Sequence, residues 1–350
     1  MPYIEKKLFS QVNLDDNFFD TLKQDYKEFT SWYEKKSKNN DSALVLYENN
    51  QLLAFLYMKV ESEAIDDVTP ILEAKRRLKV GTFKVEAHGT KLGERFIKRI
   101  FDTAIAMNID EIYLTIFEKH NSLINIFKKF GFDDYGTKIT DNGTERVLIK
   151  QIRNMKNDIC KDYPAVQTTN KSIFGLSIYP KYHTELFSDS ILNNESVDIL
   201  KDRSHTNSIH KIYICAMNGV ERFSHGDILL IYRTNDGQGH ARYRSVITSI
   251  CVVEEVVNIY SFQTLEAFLK YCEPYSIFTQ EELISFYNTK KYPYIIKMLY
   301  NLSFQKRVTN GYLVDTIGLN PNYWGVFELN LNEFNNIIRA GEVDESLIIN

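Results

Sequence analysis

The chain has 350 residues, of which 44% are hydrophobic and 25% charged, with a formal net charge of −4. That length exceeds one ordinary core and predicts two domains of a soluble globular protein. Charge divides almost evenly between the halves, which excludes a wholly basic nucleic-acid domain, and no run of about 18 apolar residues offers a membrane span.

The start, from Met1 to Ser10, has no apolar signal core and no cleavage site. Cys160, Cys215, Cys251 and Cys272 are widely spaced without a Cys-x-x-Cys pair. Neither zinc nor a disulfide framework is indicated, no metal is expected, and a reducing cytoplasm is the expected compartment.

Tyr3 to Leu8 reads as an edge strand. Asp15 and Asp16 follow as helix caps, and Phe18, Phe19, Leu22, Tyr26, Phe29, Trp32 and Tyr33 form an apolar stripe at helical spacing, suited to packing a core. Ser42 to Glu48 and Gln51 to Ser62 are strands joined at Asn49-Asn50, a hairpin signal. An acidic group, Glu61, Glu63, Asp66 and Asp67, precedes Pro70 and the basic Lys75-Arg76-Arg77.

Leu78 to Val85 is a strand rich in β-branched and aromatic residues, and Leu92, Phe96, Ile100, Phe101 and Ala104 mark the helix after it. The turn His88-Gly89-Thr90-Lys91-Leu92-Gly93 lies between them. A strand-to-helix turn gathers backbone N–H groups at the positive end of a helix dipole and so suits a phosphate. Gly89 and Gly93 let the backbone approach a bulky anion and Lys91 adds charge, although such a turn also takes glycine for shape alone.

A strand from Glu111 to Phe117 and a helix from His120 to Phe130, closed by Gly131-Phe132, complete the order. The whole stretch from Lys79 to Phe132 resembles the two central motifs of the GNAT N-acetyltransferases. In that superfamily the pattern Gln/Arg-x-x-Gly-x-Gly/Ala holds the pyrophosphate of acetyl-CoA, and here it falls on His88 to Gly93. Gly93 is kept, His88 stands where Gln or Arg is usual, and Lys91 stands where the first glycine is usual. The resemblance implies acetyl-CoA as co-substrate, with its pantetheine arm along Phe83, Lys84 and Val85 and its phosphates at His88, Gly89, Lys91, Leu92 and Gly93. Asn121 and His120, opening the second helix, either cap it or touch the cofactor. The position that often carries a tyrosine acid is Phe127, which has no proton to donate. Glu61, Glu63 and Glu86 are the carboxylates nearest the expected cleft and the candidates for general base; Tyr113 and Tyr135 are the candidate acids.

Asp133 to Ile139 and Thr144 to Gln151 form a last hairpin around Asp141-Asn142-Gly143, closing a first domain at residues 1–152. Residues 153–171 lose periodicity and read as a linker. The second domain, 172–350, opens with a strand from Ser172 to Pro180 and a short helix from Tyr182 to Phe187. Strands follow at Lys211 to Met217, Ile228 to Thr234 and Tyr243 to Ile259, and helices at Thr264 to Tyr271 and Thr279 to Tyr287, the latter with a Thr279–Glu282 capping box. Strands at Tyr294 to Arg307 and Tyr323 to Leu329 precede a helix from Asn332 to Arg339 that ends at Gly341 as its C-cap.

Ile178 to Phe187 and Gly226 to Val257 resemble the PUA-like group that includes ASCH and EVE domains. This implies a small β-barrel that binds RNA or modified bases. Arg233, Arg242, Tyr243 and Arg244 are the candidate nucleic-acid contacts, arginine for phosphate and tyrosine for stacking; the alternative is solvated arginines beside half-buried tyrosines. Hydrolytic ASCH members carry Gly-x-Lys-x-x-Glu-x-Arg after the first helix, and residues 188–200 have no lysine or arginine to match it up to Leu200. His183, His205, His210, His225 and His240 lack metal-ligand spacing and read as surface or capping residues.

The expectation is therefore an α+β protein: an N-terminal GNAT fold, its mixed and mostly antiparallel sheet flanked by helices, with a C-terminal PUA-like β-barrel. The function expected is acetyl-CoA-dependent transfer of an acetyl group to an amine that the second domain presents, the acceptor being RNA or RNA-linked. The alternative is a non-catalytic protein that senses acyl-CoA or binds RNA.

Overall fold

The computed structural model describes residues 4–86, 91–187 and 208–350, and the chain divides after Asn154 into two compact units. The first unit runs β1 Ile4–Leu8, α1 Asp20–Asp25, α2 Phe29–Lys38, β2 Ser42–Glu48, β3 Gln51–Glu61, β4 Arg77–Val85, α3 Leu92–Ala106, β5 Glu111–Phe117, α4 Asn121–Lys129, β6 Asp133–Thr140 and β7 Gly143–Gln151. The seven strands form one sheet in the order β1-β2-β3-β4-β5-β7-β6. Every neighbouring pair is antiparallel except β4 and β5.

Alternation along the strands buries both faces. One face, through Phe55 and Tyr57 of β3, packs on Phe9, Phe19, Trp32 and Tyr33. The other carries Phe83, whose ring lies 5.8 Å from Phe96 of α3 and 5.9 Å from Phe127 of α4. The stripe from Phe18 to Tyr33 is broken into a 3-10 turn, α1 and α2. Tyr26 sits at the C-cap of α1 in extended backbone, so its side chain leaves the helix line. Asn49 and Asn50 both take left-handed backbone in the β2–β3 turn, as a two-residue hairpin of this kind requires.

At the start of β4, Arg77 and Glu111 form a buried ion pair that Lys75 joins from 2.9 Å. Burial works to raise the Glu111 pKa, but hydrogen bonds from Lys75 and Arg77 outweigh it and hold the carboxyl below its ordinary value. A carboxylate depressed in the folded state stabilises above its unfolded pKa of about 4.3 and loses that contribution as pH falls through the folded value. Glu111→Ala, which strands the Arg77 charge, is expected to cost about 3–5 kcal/mol in urea denaturation at pH 7. The gap between variant and wild type should shrink below about pH 4; a loss under about 1 kcal/mol at pH 7 would mean the pair is screened like a surface one.

The second unit contains α5 Ile159–Asp162, β8 Val166–Gln167, β9 Ile173–Ile178, α6 Pro180–Leu186, β10 His210–Cys215, β11 Ile228–Arg233, α7 Ala241–Arg244, β12 Val246–Asn258, α8 Leu265–Cys272, α9 Gln280–Thr289, β13 Tyr294–Thr309, α10 Asn310–Tyr312, β14 Val326–Leu329, α11 Leu331–Ala340 and β15 Ile348–Ile349. Six strands make a mixed sheet in the order β10-β13-β12-β11-β9-β14, with β9 and β11 parallel, and β8 pairs with β15. The long β12 and β13 shift register three times against each other, the bends expected of a strongly curved sheet.

The stretch read as a linker is structured: Asp158 caps α5, Tyr163 and Val166 are buried, and Asn301 donates to the Pro164 and Ala165 carbonyls. Its Asn and Asp residues serve local turns, which is why it lacks periodicity. Thr279 and Glu282 form the capping box. Gly341 does not take the left-handed C-cap conformation; Glu342 does, and a Cβ on Gly341 would stand 2.1 Å from the Phe304 ring, so the glycine serves a close approach. Among the described residues no helix is long and apolar enough to cross a membrane.

Candidate functional site

The parallel ladder between β4 and β5 is short. It pairs Leu78, Val80 and the residue between them with Ile112 to Leu114 and then stops, although β4 runs on to Val85 and β5 to Phe117. The cause lies in β4: one step of β3, from Tyr57 to Met58, spans Thr82 to Val80, leaving Gly81 as a bulged extra residue. A bulge bends its strand and ends local pairing. Glycine is needed there because a Cβ would lie 2.9 Å from Tyr57 Cδ1. Past the bulge the two strands part, and β4 presents an edge that no strand pairs among the described residues.

The opening is a cleft of about 870 Å³ within the first unit. Lys79 to Val85 of β4, with Glu86 just after it, form one wall and Leu114 to Ile116 of β5 the other. Gly93 in the first turn of α3 and His120, Ser122, Leu123 and Ile126 of the α4 region close one side. Residues of α1 and α2 and the β6–β7 hairpin cover the opposite side.

Two polar groups meet in the cleft. Glu145 of β7 is buried, yet it is a carboxylate in phase with the core residues Val147 and Ile149. It stands opposite Phe117 in the β5–β7 ladder and accepts hydrogen bonds from the Tyr26 hydroxyl at 2.6 Å and the Thr115 hydroxyl at 3.2 Å. Burial, with the Glu145 hydrogen bond second, pushes the Tyr26 pKa far up, so the phenol keeps its proton through the neutral range. Next to Tyr26, Asp25 holds His120 Nε2 at 3.0 Å and also pairs with Lys119. The His120 side chain is 41% exposed, and the residue occupies the N-cap position of α4 without capping it, so the side chain is free of the role that position suggested.

No family model matches the sequence, and no curated protein matches it. Solved structures give matches for each half. The chain is similar to N-acetyltransferases and to ASCH structures. An N-acetyltransferase from Staphylococcus aureus Mu50 is 15% identical with a TM-score of 0.33, covering 43% of this chain and 98% of its own. The PaiA N-acetyltransferase from Thermoplasma acidophilum, in complex with coenzyme A, is 14% identical with a TM-score of 0.30, covering 43% and 99%. ASCH from Zymomonas mobilis is 7% identical with a TM-score of 0.32, covering 49% and 96%.

Of the residues singled out for the cofactor, Phe83, Lys84, Val85 and Gly93 line the cleft. Lys91 is the N-cap of α3 and Leu92 is buried behind it. Asn121 is exposed and does not line the cleft, although its helix neighbours do. His88 and Gly89 lie outside the described residues. Phe127 is fully buried against Phe83 and Phe132, as an apolar ring there should be.

Of the proposed bases, only Glu86 lines the cleft, with Lys84 2.7 Å away. Glu61 lies at the end of β3 outside the cleft lining, paired with Lys59 and accepting from Tyr113, and Glu63 is exposed. Tyr113 is wholly buried with Val68, Leu72, Val147 and Ile149, and burial followed by its bond to Glu61 raises its pKa. Tyr135 donates to the Ile71 carbonyl. Sequence reasoning passed over Glu145, Tyr26 and Asp25. The legible signal was Glu145, a carboxylate alternating in step with buried strand residues.

In the second unit, Arg233 is interior at 2% exposure, apart from the exposed Tyr243. Arg242 is paired with Asp315 and Arg244 with Asp236, so both charges have carboxylate partners. Two histidines read as surface groups are buried. His183 sets Nε2 2.7 Å from the Thr248 hydroxyl, and burial, then the charges of Arg233 and Arg307, bring its pKa down to about 3. His210 lies 2.7 Å from Glu254. His225 meets the Glu254 carbonyl, and His240 precedes α7 without capping it. His205 and the stretch 188–200 compared with the hydrolytic signature lie outside the described residues.

Proposed function

We propose that the first unit is an acetyl-CoA-dependent N-acetyltransferase. The observation that carries this reading is the parted β4–β5 pair: an unpaired strand edge leading from the bulge at Gly81 to the first turn of α3. An extended chain bearing amides can add to such an edge by backbone hydrogen bonds, while a phosphate at its far end meets the helix N-terminus. The pantetheine and pyrophosphate of acetyl-CoA have that chemistry in that order. Held there, donor and acceptor gain the advantage of fixed proximity, worth about 7–11 kcal/mol of barrier.

Two groups in the cleft suit the proton transfers. Glu145 accepts a proton from the incoming ammonium, and the neutral amine then attacks the thioester carbonyl. The C–N bond forms and the C–S bond breaks. The His120 imidazole, which Asp25 orients, takes the second nitrogen proton and, as the imidazolium, passes it to the leaving thiolate, while Glu145 sheds its proton to solvent. Tyr26 stays protonated and positions Glu145.

A thiol-release assay with acetyl-CoA and a panel of amines tests the reading. His120→Gln is expected to lower kcat about 100-fold with little change in the KM for acetyl-CoA. Unaltered kcat would remove His120 from the chemistry, and absence of thiol release with every amine class would count against a transferase. RNA presentation by the second unit is not part of this reading: Arg233 is interior while Tyr243 is exposed, so the candidate contacts do not share one surface.

A further inference from the structure

Lys59 and Lys79 stand directly opposite one another in the β3–β4 ladder. Like charges in that relation destabilise a sheet, and a broken local rule often marks a functional position. Both side chains line the cleft, as do Lys36 and Lys138. Their carboxylate partners do not line it: Glu61 pairs with Lys59 and lies 3.9 Å from Lys79, Asp67 pairs with Lys138, and Asp41 lies 3.1 Å from Lys36. Four lysines therefore line the cleft, and the carboxylates that pair with them do not. Lys79 is also the most constrained of the cross-strand pair, its side chain 18% exposed against 42% for Lys59. Burial, only partly opposed by Glu61 and reinforced by Lys59 and Lys138, lowers its pKa.

We infer that this end of the cleft, built around Lys59, Lys79 and Lys138, binds an oxyanion carried by the acceptor, so that the acceptor is an amine bearing a phosphate or carboxylate group. The inference rests on the transferase reading for the word acceptor, and on the lysines alone for the oxyanion. A bound anion offsets the Lys59–Lys79 repulsion and gives a closer partner to Lys79, whose carboxylate neighbour Glu61 is 3.9 Å away. Lys138 stands opposite Glu145 in the β6–β7 ladder, which sets their Cβ atoms about 5 Å apart. The oxyanion and the reacting amine are thus separated by a few bonds.

The test is calorimetric titration of the full-length protein, first saturated with desulfo-CoA to occupy the phosphate site at α3, with inorganic phosphate and separately with acetate. The wild type is expected to bind at least one probe. Lys59→Met/Lys79→Met should weaken that binding about tenfold or more, whereas Lys79→Arg, which keeps the charge, should retain it. Preference for phosphate would indicate a phosphorylated acceptor and preference for acetate a carboxylated one. Equal affinity in the wild type and double Met variant, with both folded by circular dichroism, would overturn the inference, as would binding of neither probe to the wild type. If desulfo-CoA itself fails to bind while the lysine dependence holds, the oxyanion site stands and the transferase reading falls.

Discussion

Gly93→Glu is expected to weaken acetyl-CoA binding by about 100-fold or more, since an acidic side chain beside a pyrophosphate sets like charges together at a cost of several kcal/mol. Gly93 lines the cleft in the first turn of α3, where backbone N–H groups and the helix dipole favour an anion. Sterics alone do not account for the expected loss. A Cβ at this position would meet only the Ile126 Cδ1 methyl, at 3.1 Å, the end of a flexible side chain. Gly93→Ala is therefore the control. It should fold, gain a little helix propensity, and keep most of the affinity. If Gly93→Glu binds acetyl-CoA as the wild type does, the phosphates do not lie at α3.

Glu145→Gln is expected to lower kcat by about 10²–10⁴-fold while leaving the KM for acetyl-CoA nearly unchanged. Glutamine preserves the shape of the carboxylate and an oxygen for the Tyr26 and Thr115 hydroxyls, so the cleft should keep its form. What it cannot do is take a proton from an ammonium group. A fall in kcat that is relieved as pH rises, when more of the acceptor amine is already neutral, would mark Glu145 as the base. A variant with wild-type kcat would leave the carboxylate a purely structural partner of Tyr26.

What the sequence made legible was local. The Asn49-Asn50 turn, the Thr279–Glu282 box and the strand-helix order from Arg77 to Lys129 each depend on residues close together in the chain, and the structure carries them. The unit of cleft-forming information was smaller than the motif: Gly81, read only as part of a strand, is the bulge that parts β4 from β5.

The polar face of the cleft was less legible because it is assembled across long separations. Tyr26 and Glu145 are 119 positions apart, and Asp25 and His120 are 95 apart. Tyr26 fits an apolar helical stripe until the break after α1 turns it away. Glu61 and Glu63 are near the motif in sequence, yet the first lies at the end of β3 opposite Arg77, past the cleft lining, and the second is exposed. In the second unit, the arginines around Tyr243 are close in sequence but not on one surface: β11 is buried along its whole length, Arg233 included, whereas α7 carries Arg242 and Arg244 on a separate turn.

The most direct test of the account is calorimetric titration of the intact protein with acetyl-CoA. Saturable binding of one acetyl-CoA per chain is expected, retained in Lys59→Met/Lys79→Met and lost in Gly93→Glu. Absence of binding to the folded wild-type protein would contradict it and leave the parted β4–β5 cleft without the donor assigned to it.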